Sequence, residues 1–491
     1  MTDLHELVKG IIEDIRKHQG TSPSSRCEGD NFPRIIGTGD GGQIHVSRKV
    51  DELIADVSRK IMARDTTLKS RFSVKDFTAM VRRDFGPALA TIDWDQDIVQ
   101  STIRVSSDVE EAVARDIDWT LKKGELEYAF GCTLFSYDDI PPFEIGPVRF
   151  EPRVDWLDRK ASDDRWARVG PGGRIERFSE KIADGMISKI THRRILRTWK
   201  GEKLKRRMPS ADAHDEKVIL EAIGDCQYVC SVNVPGFGGD TGQHKAVLAA
   251  RLAQATVSLI WENSSMALDG ISLLAERKRP YGRTLAFTTE GLMLANGLGA
   301  KRLHAPWVDK EELAEIINDF SGCFTVAGEA IAAYLDPDGG SERPALMNAI
   351  VHALLWFYEG CRETVDQIAI VKFSSAMEVL TEGFVWKAGN GKKQKGGQPA
   401  IRELLKINLG IDEDNVITRD GKTAKEVVEL IYSAGRNRMI HGENKALGND
   451  WSIERAIAEK LSRYSLVTHL GRVSENPLFD NPKQLWQKDG G

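Results

Sequence analysis

The spacing of apolar and polar positions changes along the chain and divides it into regions. Over residues 1–125 the apolar side chains recur at helical spacing, as in 47–63 and 74–85, and polar loops separate these segments. From residue 126 the pattern changes to short apolar runs typical of strands, LEYAFGCTLFSY and FEIGPVRFEPRV. Gly146-Pro147 interrupts the second run, and we expect a bend there.

Further strands are predicted at 227–234 and 283–289, with a long helix over 243–263 between them. We therefore predict a mainly helical N-terminal region over 1–125 and a mixed α+β middle region over 126–308.

The remainder of the chain, residues 309–491, is predicted to be an all-α bundle. Its helical segments are separated by loops rich in Gly, Pro, Asp and Asn, and they cover 310–334, 341–358, 364–382, 399–409, 422–441 and 451–473. The segment KAGNGKKQKGGQ at 387–398 is glycine-rich and basic, and we expect a mobile loop that does not pack. The predicted fold class is multidomain α+β with a C-terminal helical bundle.

Composition and charge exclude several classes of protein. A chain of 491 residues exceeds one ordinary domain, and 41% hydrophobic with 29% charged residues suits a globular protein. The net charge of −5 argues against phosphate binding over the whole surface, so any nucleic-acid contact needs a local basic patch. We find no signal peptide, no membrane-length apolar run and no CxxC pair. We therefore predict a cytoplasmic protein with reduced, buried cysteines and no membrane partner.

Nucleotide and metal motifs are incomplete. The segment GFGGDTGQHK at 236–245 lies between a predicted strand and a predicted helix, but it lacks the Gly-Lys-Ser/Thr ending of a phosphate-binding loop. A plain strand-to-helix turn is favoured. Asp93, Asp95 and Asp97 begin like a calcium loop, yet Ile98 stands where the turn glycine belongs. No zinc-like spacing joins His192, His214, His244 and His304. We predict no metal and no cofactor.

A basic segment surrounds Trp199 and is one candidate for contact with nucleic acid. A phosphate backbone can follow such a segment while a base stacks on the indole. The alternative is a solvated helix end. The basic residues of this segment are His192, Arg193, Arg194, Arg197, Lys200, Lys203, Lys205, Arg206 and Arg207.

The segment YSAGRNRMIHG has a setting that separates it from other arginine–histidine pairs in the chain. It ends an apolar helix, Asn437 follows Arg436 directly, and Gly442 is a helix-stop residue after His441. On an α-helix Asn437 and His441 share a face, whereas Arg436 lies about 140° around the axis from His441. Arg438 is angularly closer to the histidine and is an alternative cation.

These residue types suit the cleavage of RNA. A histidine that titrates near neutrality can take a proton from a 2′-hydroxyl or give one to the departing 5′-oxygen. A guanidinium can hold the scissile phosphate and offset its developing charge. RNA supplies its own nucleophile, so neither a metal nor a covalent intermediate is required. The alternative is a histidine interacting with the helix dipole and an arginine in a surface ion pair.

The C-terminal region resembles a HEPN domain and, within that superfamily, the group found in ApeA-type antiphage proteins. The motif Tyr432-x-x-x-Arg436-Asn437-x-x-x-His441-Gly442 resembles the RNxxxH signature followed by glycine. The segment FSSAMEVL resembles the helix of that family with a glutamate, here Glu378, between apolar residues. The resemblance covers residues 310–480, and the first three hundred residues resemble no family known to us.

The resemblance implies a metal-independent endoribonuclease that acts as a homodimer. Motifs from two subunits would form one composite site and leave 2′,3′-cyclic phosphate and 5′-hydroxyl ends. By position, Arg436 would bind phosphate, His441 would be the general acid and base, and Asn437 would orient the site. Glu378 would hold the arginine or histidine.

The predicted partners are RNA and a phage-derived trigger. The predicted RNA contacts are Lys392, Lys393 and Lys395, and the alternative is that they belong to a solvated linker. Transfer RNA is one candidate substrate. Glu443 stands two residues after the histidine, where a sub-group modified by a nucleotidyltransferase has tyrosine, so the antitoxin arrangement is not expected. The α+β region would sense a phage-derived trigger or restrain the nuclease.

Two other functions stay open. The first is a non-catalytic HEPN dimerisation and RNA- or nucleotide-binding module of a sensor protein. The second is a nucleotide-dependent enzyme that uses the glycine-rich segment at 236–245.

Overall fold

The computed structural model covers the whole chain and shows a mixed α+β protein, as the sequence predicts. The residues that the structure describes are 2–17, 34–94, 97–123, 126–162, 167–169, 175–177, 187–277, 281–300, 303–336, 339, 341–387, 391–437 and 450–486.

The N-terminal region is mainly helical, and it also contains a β-hairpin that the helical pattern did not predict. The hairpin strands are joined by the glycine-rich turn GTGDGGQ, in which the Thr38 amide donates to the Gly42 carbonyl at 3.0 Å. The elements are α1 Thr2–Lys17, β1 Arg34–Gly37, β2 Gln43–Val46, α2 Arg48–Arg64, α3 Thr66–Arg71, α4 Val74–Ala90 and α5 Ile98–Lys123.

The middle region alternates strands and helices. The predicted strands at 227–234 and 283–289 are confirmed to within two residues. The elements are β3 Leu126–Thr133, β4 Phe143–Ile145, β5 Val148–Pro152, α6 Arg153–Ser162, β6 Ala167–Val169, β7 Ile175–Arg177, α7 Lys189–Trp199, α8 Ala211–Ile223, β8 Tyr228–Val234, α9 Gly239–Ser258, α10 Ser264–Gly270, β9 Ser272–Leu273, a 3-10 turn Leu274–Glu276, β10 Tyr281–Phe287 and β11 Met293–Ala300.

The C-terminal region is helical apart from one short hairpin. The elements are α11 Lys310–Asp319, α12 Ser321–Leu335, α13 Pro344–Arg362, α14 Asp366–Leu380, β12 Val385–Lys387, β13 Lys393–Lys395, α15 Gly397–Leu409, α16 Ala424–Glu429, a π-helix Leu430–Asn437, α17 Ser452–Glu475 and a 3-10 turn Pro482–Trp486. Two predictions need correction here. The helix predicted over 310–334 is divided at Phe320, and the helix predicted over 422–441 begins as an α-helix and passes into the π-helix.

The chain folds into two compact units. The first comprises residues 1–126, 160–188 and 234–246, and its apolar core is formed by side chains such as Ile11, Val50, Phe77 and Phe85. The second comprises residues 127–159, 189–233 and 247–491. The boundary near 126 coincides with the change of pattern in the sequence. The predicted division at 308 stays a prediction, because the second unit contains both the sheet and the C-terminal helices.

A five-stranded sheet lies in the second unit, with strand order β4-β5-β8-β3-β9. The expected bend at Gly146-Pro147 is the turn between β4 and β5. Gly146 has a φ of +58°, and a Cβ atom there would lie 2.3 Å from the Gly328 carbonyl oxygen on α12. Only glycine at this turn lets the strands approach the helix so closely. The Phe143 and Phe324 rings, 6.1 Å apart between centroids, extend the same contact.

The C-terminal helices share an apolar core. Helix α14 packs against α13, α17 and the π-helix, and its Phe373 ring lies 5.7 Å from that of Phe357 on α13. Gly360 faces the Phe373 ring, so the two helices can approach closely. Glu378 lies on α14, and this packing therefore brings Glu378 beside the π-helix. No helix within the described part of the chain combines the length and the apolarity needed to cross a bilayer.

Candidate functional site

Arg436, Glu378 and Tyr432 contact one another through their polar groups. The Arg436 Nη2 atom lies 2.7 Å from Glu378 Oε2. Arg436 Nη1 donates to the Tyr432 hydroxyl at 2.9 Å, and that hydroxyl donates to Glu378 Oε1 at 2.9 Å. The guanidinium carbon also lies 4.9 Å from the centre of the Tyr432 ring. The arginine is therefore held by a carboxylate, a phenol and an aromatic face.

The helix that carries Tyr432 and Arg436 starts with a capping box. The Thr423 hydroxyl accepts from the Glu426 amide, and the Glu426 carboxylate accepts from the Thr423 amide, which satisfies two N–H groups of the first turn. After Glu429 the backbone changes to a π-helix, whose hydrogen bonds span five residues. Single π-helical turns occur frequently at functional sites. The apolar pattern of the sequence gives no signal for this change.

Two glycines bring the β12–β13 hairpin against the same carboxylate. The Gly397 amide donates to Glu378 Oε1 at 3.1 Å. Gly396 has φ +66° and ψ −163°, a conformation that is almost restricted to glycine. A Cβ atom at Gly396 would lie 2.9 Å from Glu378 Oε1, so glycine is also required for space. Glu378 is consequently fixed from two sides, by the π-helix and by this hairpin.

The contacts leave part of the arginine accessible. The side chains of Arg436 and Glu378 are 22% and 24% exposed, so solvent reaches both. Burial and the negative charge of Glu378 raise the pKa of Tyr432 to about 12, and the phenol is therefore neutral at physiological pH. A guanidinium that is held in place and partly exposed can bind a phosphate oxygen without first being ordered.

The remaining residues of the predicted motif fall largely outside the described part of the chain. This applies to His441 and Arg438. Asn437 closes the π-helix, and only its backbone is described. The angle of about 140° between Arg436 and His441 assumed an α-helix, and that geometry does not apply over Leu430–Asn437. The sequence left open whether Glu378 holds the arginine or the histidine, and the structure shows its contact with Arg436.

The predicted RNA-contacting lysines lie on or beside a strand. Lys393 and Lys395 belong to β13, and Lys392 directly precedes it. The expectation of an unpacked mobile loop over 387–398 was wrong for its described part, because β12 and β13 pair there and Trp386 Nε1 donates to the Gly396 carbonyl at 3.0 Å. The Trp386 indole packs this hairpin against the rest of the bundle, whereas the polar composition of 387–398 predicted no packing.

Two residues that contribute to the site, Tyr432 and Gln398, have no role predicted from the sequence. Tyr432 stands four residues before Arg436, and this spacing on a helix is a signal that the two side chains can meet. Gln398 Nε2 donates to the Ser433 hydroxyl at 2.5 Å and ties the start of α15 to the π-helix. No local pattern reveals this second contact, since it joins two separate segments.

The glycine-rich segment at 236–245 is a strand-to-helix turn, as predicted. The first amides of α9 are capped by Asp76 of α4, which accepts from Asp240 N and Thr241 N at 3.0 Å each. Although burial opposes the shift, these N–H groups lower the pKa of Asp76 below its usual value. A carboxylate of the protein therefore occupies the position that a phosphate would take in a phosphate-binding loop.

Three arginines of the basic segment around Trp199 are ion-paired. The pairs are Arg194–Glu216 at 2.7 Å, Arg197–Glu202 at 2.6 Å and Arg207–Asp212 at 2.7 Å. The His192 ring also lies at hydrogen-bond distance from Asp158, with 2.6 Å between Nε2 and Oδ1. The Arg153 guanidinium covers one face of the Trp199 ring, 4.9 Å from its centre. These contacts occupy three of the cations and one face of the indole, which favours the solvated helix end over a base-stacking surface at those positions.

The other candidate sites gain no support. Within the described ranges no three His, Cys, Asp or Glu side chains are grouped as metal ligands, and Asp95 of the calcium-like segment lies outside those ranges. Five cysteines are described. All are free thiols and buried, as predicted: Cys132, Cys226, Cys230, Cys323 and Cys361.

Compared with protein-family models, with curated proteins and with solved structures, this chain has no match. The HEPN resemblance therefore rests on residues of the C-terminal region alone.

Proposed function

We propose that this protein is a metal-independent endoribonuclease of a prokaryotic antiphage system, of the abortive-infection type, acting in the cytoplasm. One observation supports the proposal above the others. Arg436 of the HEPN-like motif contacts Glu378, the glutamate of the other HEPN-like segment, at 2.7 Å and stays partly exposed. Two motifs that are separate in sequence thus meet at one arginine.

The proposed reaction uses only groups of the protein and of RNA. His441 takes the proton of a 2′-hydroxyl, the resulting oxygen attacks the adjacent phosphorus, and the bond to the 5′-oxygen breaks. A histidine in its protonated form gives the departing oxygen a proton. The products carry a 2′,3′-cyclic phosphate and a 5′-hydroxyl. Arg436 offsets the negative charge that grows on the phosphate, and Asn437 orients the site.

The proposal includes a homodimer, because a single motif supplies one histidine, whereas the reaction needs a base and an acid. Two motifs facing each other provide both. The α+β region is the proposed sensor of a phage-derived trigger, since an unrestrained ribonuclease would damage its own cell.

Cleavage of RNA in the presence of a chelator tests the proposal. Purified full-length protein is incubated with total RNA and with transfer RNA in EDTA, alone and with a phage lysate as the source of the trigger, and the ends are mapped. We expect cyclic phosphate and 5′-hydroxyl ends, and loss of at least about 100-fold in rate for Arg436→Ala and His441→Ala.

Matched variants separate catalysis from folding. Arg402→Ala removes another partly buried arginine, which pairs with Glu413 at 3.4 Å, and His352→Ala removes an exposed histidine of α13. Both should cleave normally. Unchanged cleavage in Arg436→Ala and His441→Ala would contradict the proposal, and an His441→Ala variant that still protects fully against phage would exclude the nuclease as the effector.

A non-catalytic RNA- or nucleotide-binding module is the second candidate. The observation that favours it is the same ion pair, because Glu378 neutralises much of the charge that Arg436 offers to a phosphate. RNA binding without cleavage, in wild type and in both variants, would support this alternative.

A further inference from the structure

The β12–β13 hairpin, which we call the lysine ribbon, carries three lysines on one face. In its antiparallel register Lys387 is opposite Lys393, and Lys395 is opposite Val385. Side chains alternate between the faces of a strand and opposed residues share a face, so these three lysines lie together. All three are exposed.

The other face attaches the lysine ribbon to the helices. Trp386 lies on that face, is partly buried, and donates its indole N–H to the Gly396 carbonyl at 3.0 Å. Strand β13 ends at Lys395, and the next two residues are the glycines that pack against Glu378. The lysine face is therefore directed to solvent, and one end of it lies beside the carboxylate that holds Arg436.

The charge on this face is not balanced. Like charges directly opposite each other on a ribbon repel, as Lys387 and Lys393 must. Among the described residues, no carboxylate is within ion-pair distance of the three ribbon lysines. Lysines elsewhere in the bundle are ion-paired, as at Lys406–Asp412 and Lys422–Asp420. A bound polyanion would relieve the repulsion.

We propose that the lysine ribbon binds the phosphodiester backbone of RNA and leads it to Arg436, an inference that rests on the proposed ribonuclease function. Lys393 and Lys395 are two residues apart on one strand, about 6.7 Å, so they can contact successive phosphates. Lysine–phosphate contacts position a strand without reading its sequence. An anionic membrane is a poorer fit, because the only apolar side chain on this face is Val385.

Salt-dependent binding tests the proposal. Binding of a fluorescently labelled single-stranded RNA is measured in EDTA by anisotropy, on the His441→Ala background, over a series of salt concentrations. Each lost phosphate contact lowers the slope of log affinity against log salt by about 0.7 for single strands. The triple variant Lys387→Gln, Lys393→Gln, Lys395→Gln should therefore lower the slope by about 2 and weaken binding at least tenfold at low salt.

A second triple variant serves as the control, because it changes the net charge by the same amount as the ribbon variant. Lys217→Gln, Lys406→Gln and Lys422→Gln remove lysines that are paired with Glu221, Asp412 and Asp420, and binding should stay within about twofold of the parent. The ribbon variant should also unfold at an unchanged or higher temperature, because like-charge repulsion is removed.

The outcomes distinguish this inference from the proposed function. A lower slope in the ribbon variant, together with no RNA cleavage by the wild-type protein, supports the ribbon and refutes the nuclease. Normal cleavage with an unchanged slope refutes the ribbon and leaves the nuclease. A similar loss of affinity for single-stranded DNA is expected, because its phosphodiester backbone is the same. An equal loss for anionic vesicles would make the ribbon a general polyanion surface and overturn the assignment to RNA. If the three lysines only protect a strand edge from aggregation, the triple Lys→Gln variant will bind RNA as the parent does, and the proposal is wrong.

Discussion

The Arg436 guanidinium on the π-helix and the Glu378 carboxylate on α14 lie 2.7 Å apart. Each belongs to a different HEPN-like segment of the sequence, and neither segment alone determines that they meet. The Tyr432 hydroxyl bridges the same two groups. Changes to any one of these three side chains should therefore affect both the stability of the bundle and the proposed activity.

Replacing Glu378 tests the strength of this anchor. Glu378→Gln removes the charge that faces Arg436 and weakens the bond from Gly397, so we expect a loss of about 2 kcal/mol in the free energy of unfolding. The loss should appear in thermal unfolding followed by circular dichroism. Glu382→Gln changes an exposed glutamate close by and should stay within about 0.5 kcal/mol of wild type. Equal effects of the two variants would show that the ion pair contributes nothing specific.

Removing the Tyr432 hydroxyl tests its bridging role and its pKa. Tyr432→Phe keeps the ring against the guanidinium and loses two hydrogen bonds, so we expect a destabilisation of about 1–2 kcal/mol. The folded pKa of about 12 lies above the ordinary value of 10, so the stabilisation is present below pH 10 and is lost as the pH rises through 12. Ultraviolet titration should show one fewer late-ionising tyrosine in the variant. A Tyr432 that ionises near pH 10 would contradict this account.

Replacing Gly396 by alanine tests whether the absence of a side chain at this position allows Glu378 to take its observed position. In Gly396→Ala the new Cβ meets Glu378 Oε1 and the backbone is strained, so we expect a loss of about 2–3 kcal/mol and slower RNA cleavage. Gly391 of the same hairpin loop also has positive φ, +77°, but nothing lies within 4 Å of its Cβ position. Gly391→Ala should cost about 1 kcal/mol and leave cleavage unchanged. Similar cleavage by both variants would rule out the steric role of Gly396.

Replacing two helical glycines of the bundle by alanine should change the stability of the protein in opposite directions. A Cβ at Gly360 would lie 2.8 Å from a ring carbon of Phe373, whereas one at Gly471 of α17 meets nothing within 4 Å. Gly360→Ala should destabilise the protein by about 1–3 kcal/mol through overpacking. Gly471→Ala should stabilise it by about 0.5–1 kcal/mol, since alanine is the better helix former. Thermal midpoints that shift in the same direction would contradict the packing of α13 on α14.

Glu363 should make the bundle sensitive to acid. Its carboxylate lies between α13 and α14 and accepts from the Thr364 amide at 2.8 Å, the Val365 amide at 3.1 Å and Lys372 Nζ at 2.9 Å. Burial opposes ionisation, but these donors together lower the pKa of Glu363 to about 2.

The pKa of an unfolded glutamate is near 4.5, so this stabilisation is complete above pH 4.5 and is lost as the pH falls through 2. Glu363→Gln should be less stable at neutral pH by on the order of 3 kcal/mol. Its stability should also change less between pH 5 and pH 2. Parallel pH profiles for variant and wild type would show that Glu363 is not the responsible group.

Short-range patterns predicted most of the regular structure. The apolar periodicity located α2, α4 and the C-terminal helices, and Gly146-Pro147 was correctly read as a bend between two strands. The incomplete phosphate loop at 236–245 was also correctly interpreted as a turn. Each of these features depends on residues close to one another in the chain, so a local pattern contains the relevant information.

The hairpin of β12 and β13 was not predicted, for a physical reason. Its glycines and lysines have low strand preference, and two short strands have little stability in isolation. The contacts that hold it, from Trp386 to Gly396 and from Gly397 to Glu378, depend on α14 being packed alongside. The π-helix was missed similarly, because Leu430–Asn437 has the apolar spacing of an ordinary helix.

The sequence by itself determined the mixed α+β class, most helix positions and the arginine–histidine motif with its nearby tyrosine, since hydrophobic periodicity and helical spacing are local properties. Only the tertiary structure decided that Glu378 holds Arg436, that Asp76 fills the anion position at α9, and that the ribbon lysines share one exposed face. These contacts join distant segments, and they form only when burial of the apolar faces has fixed the helices and strands against one another.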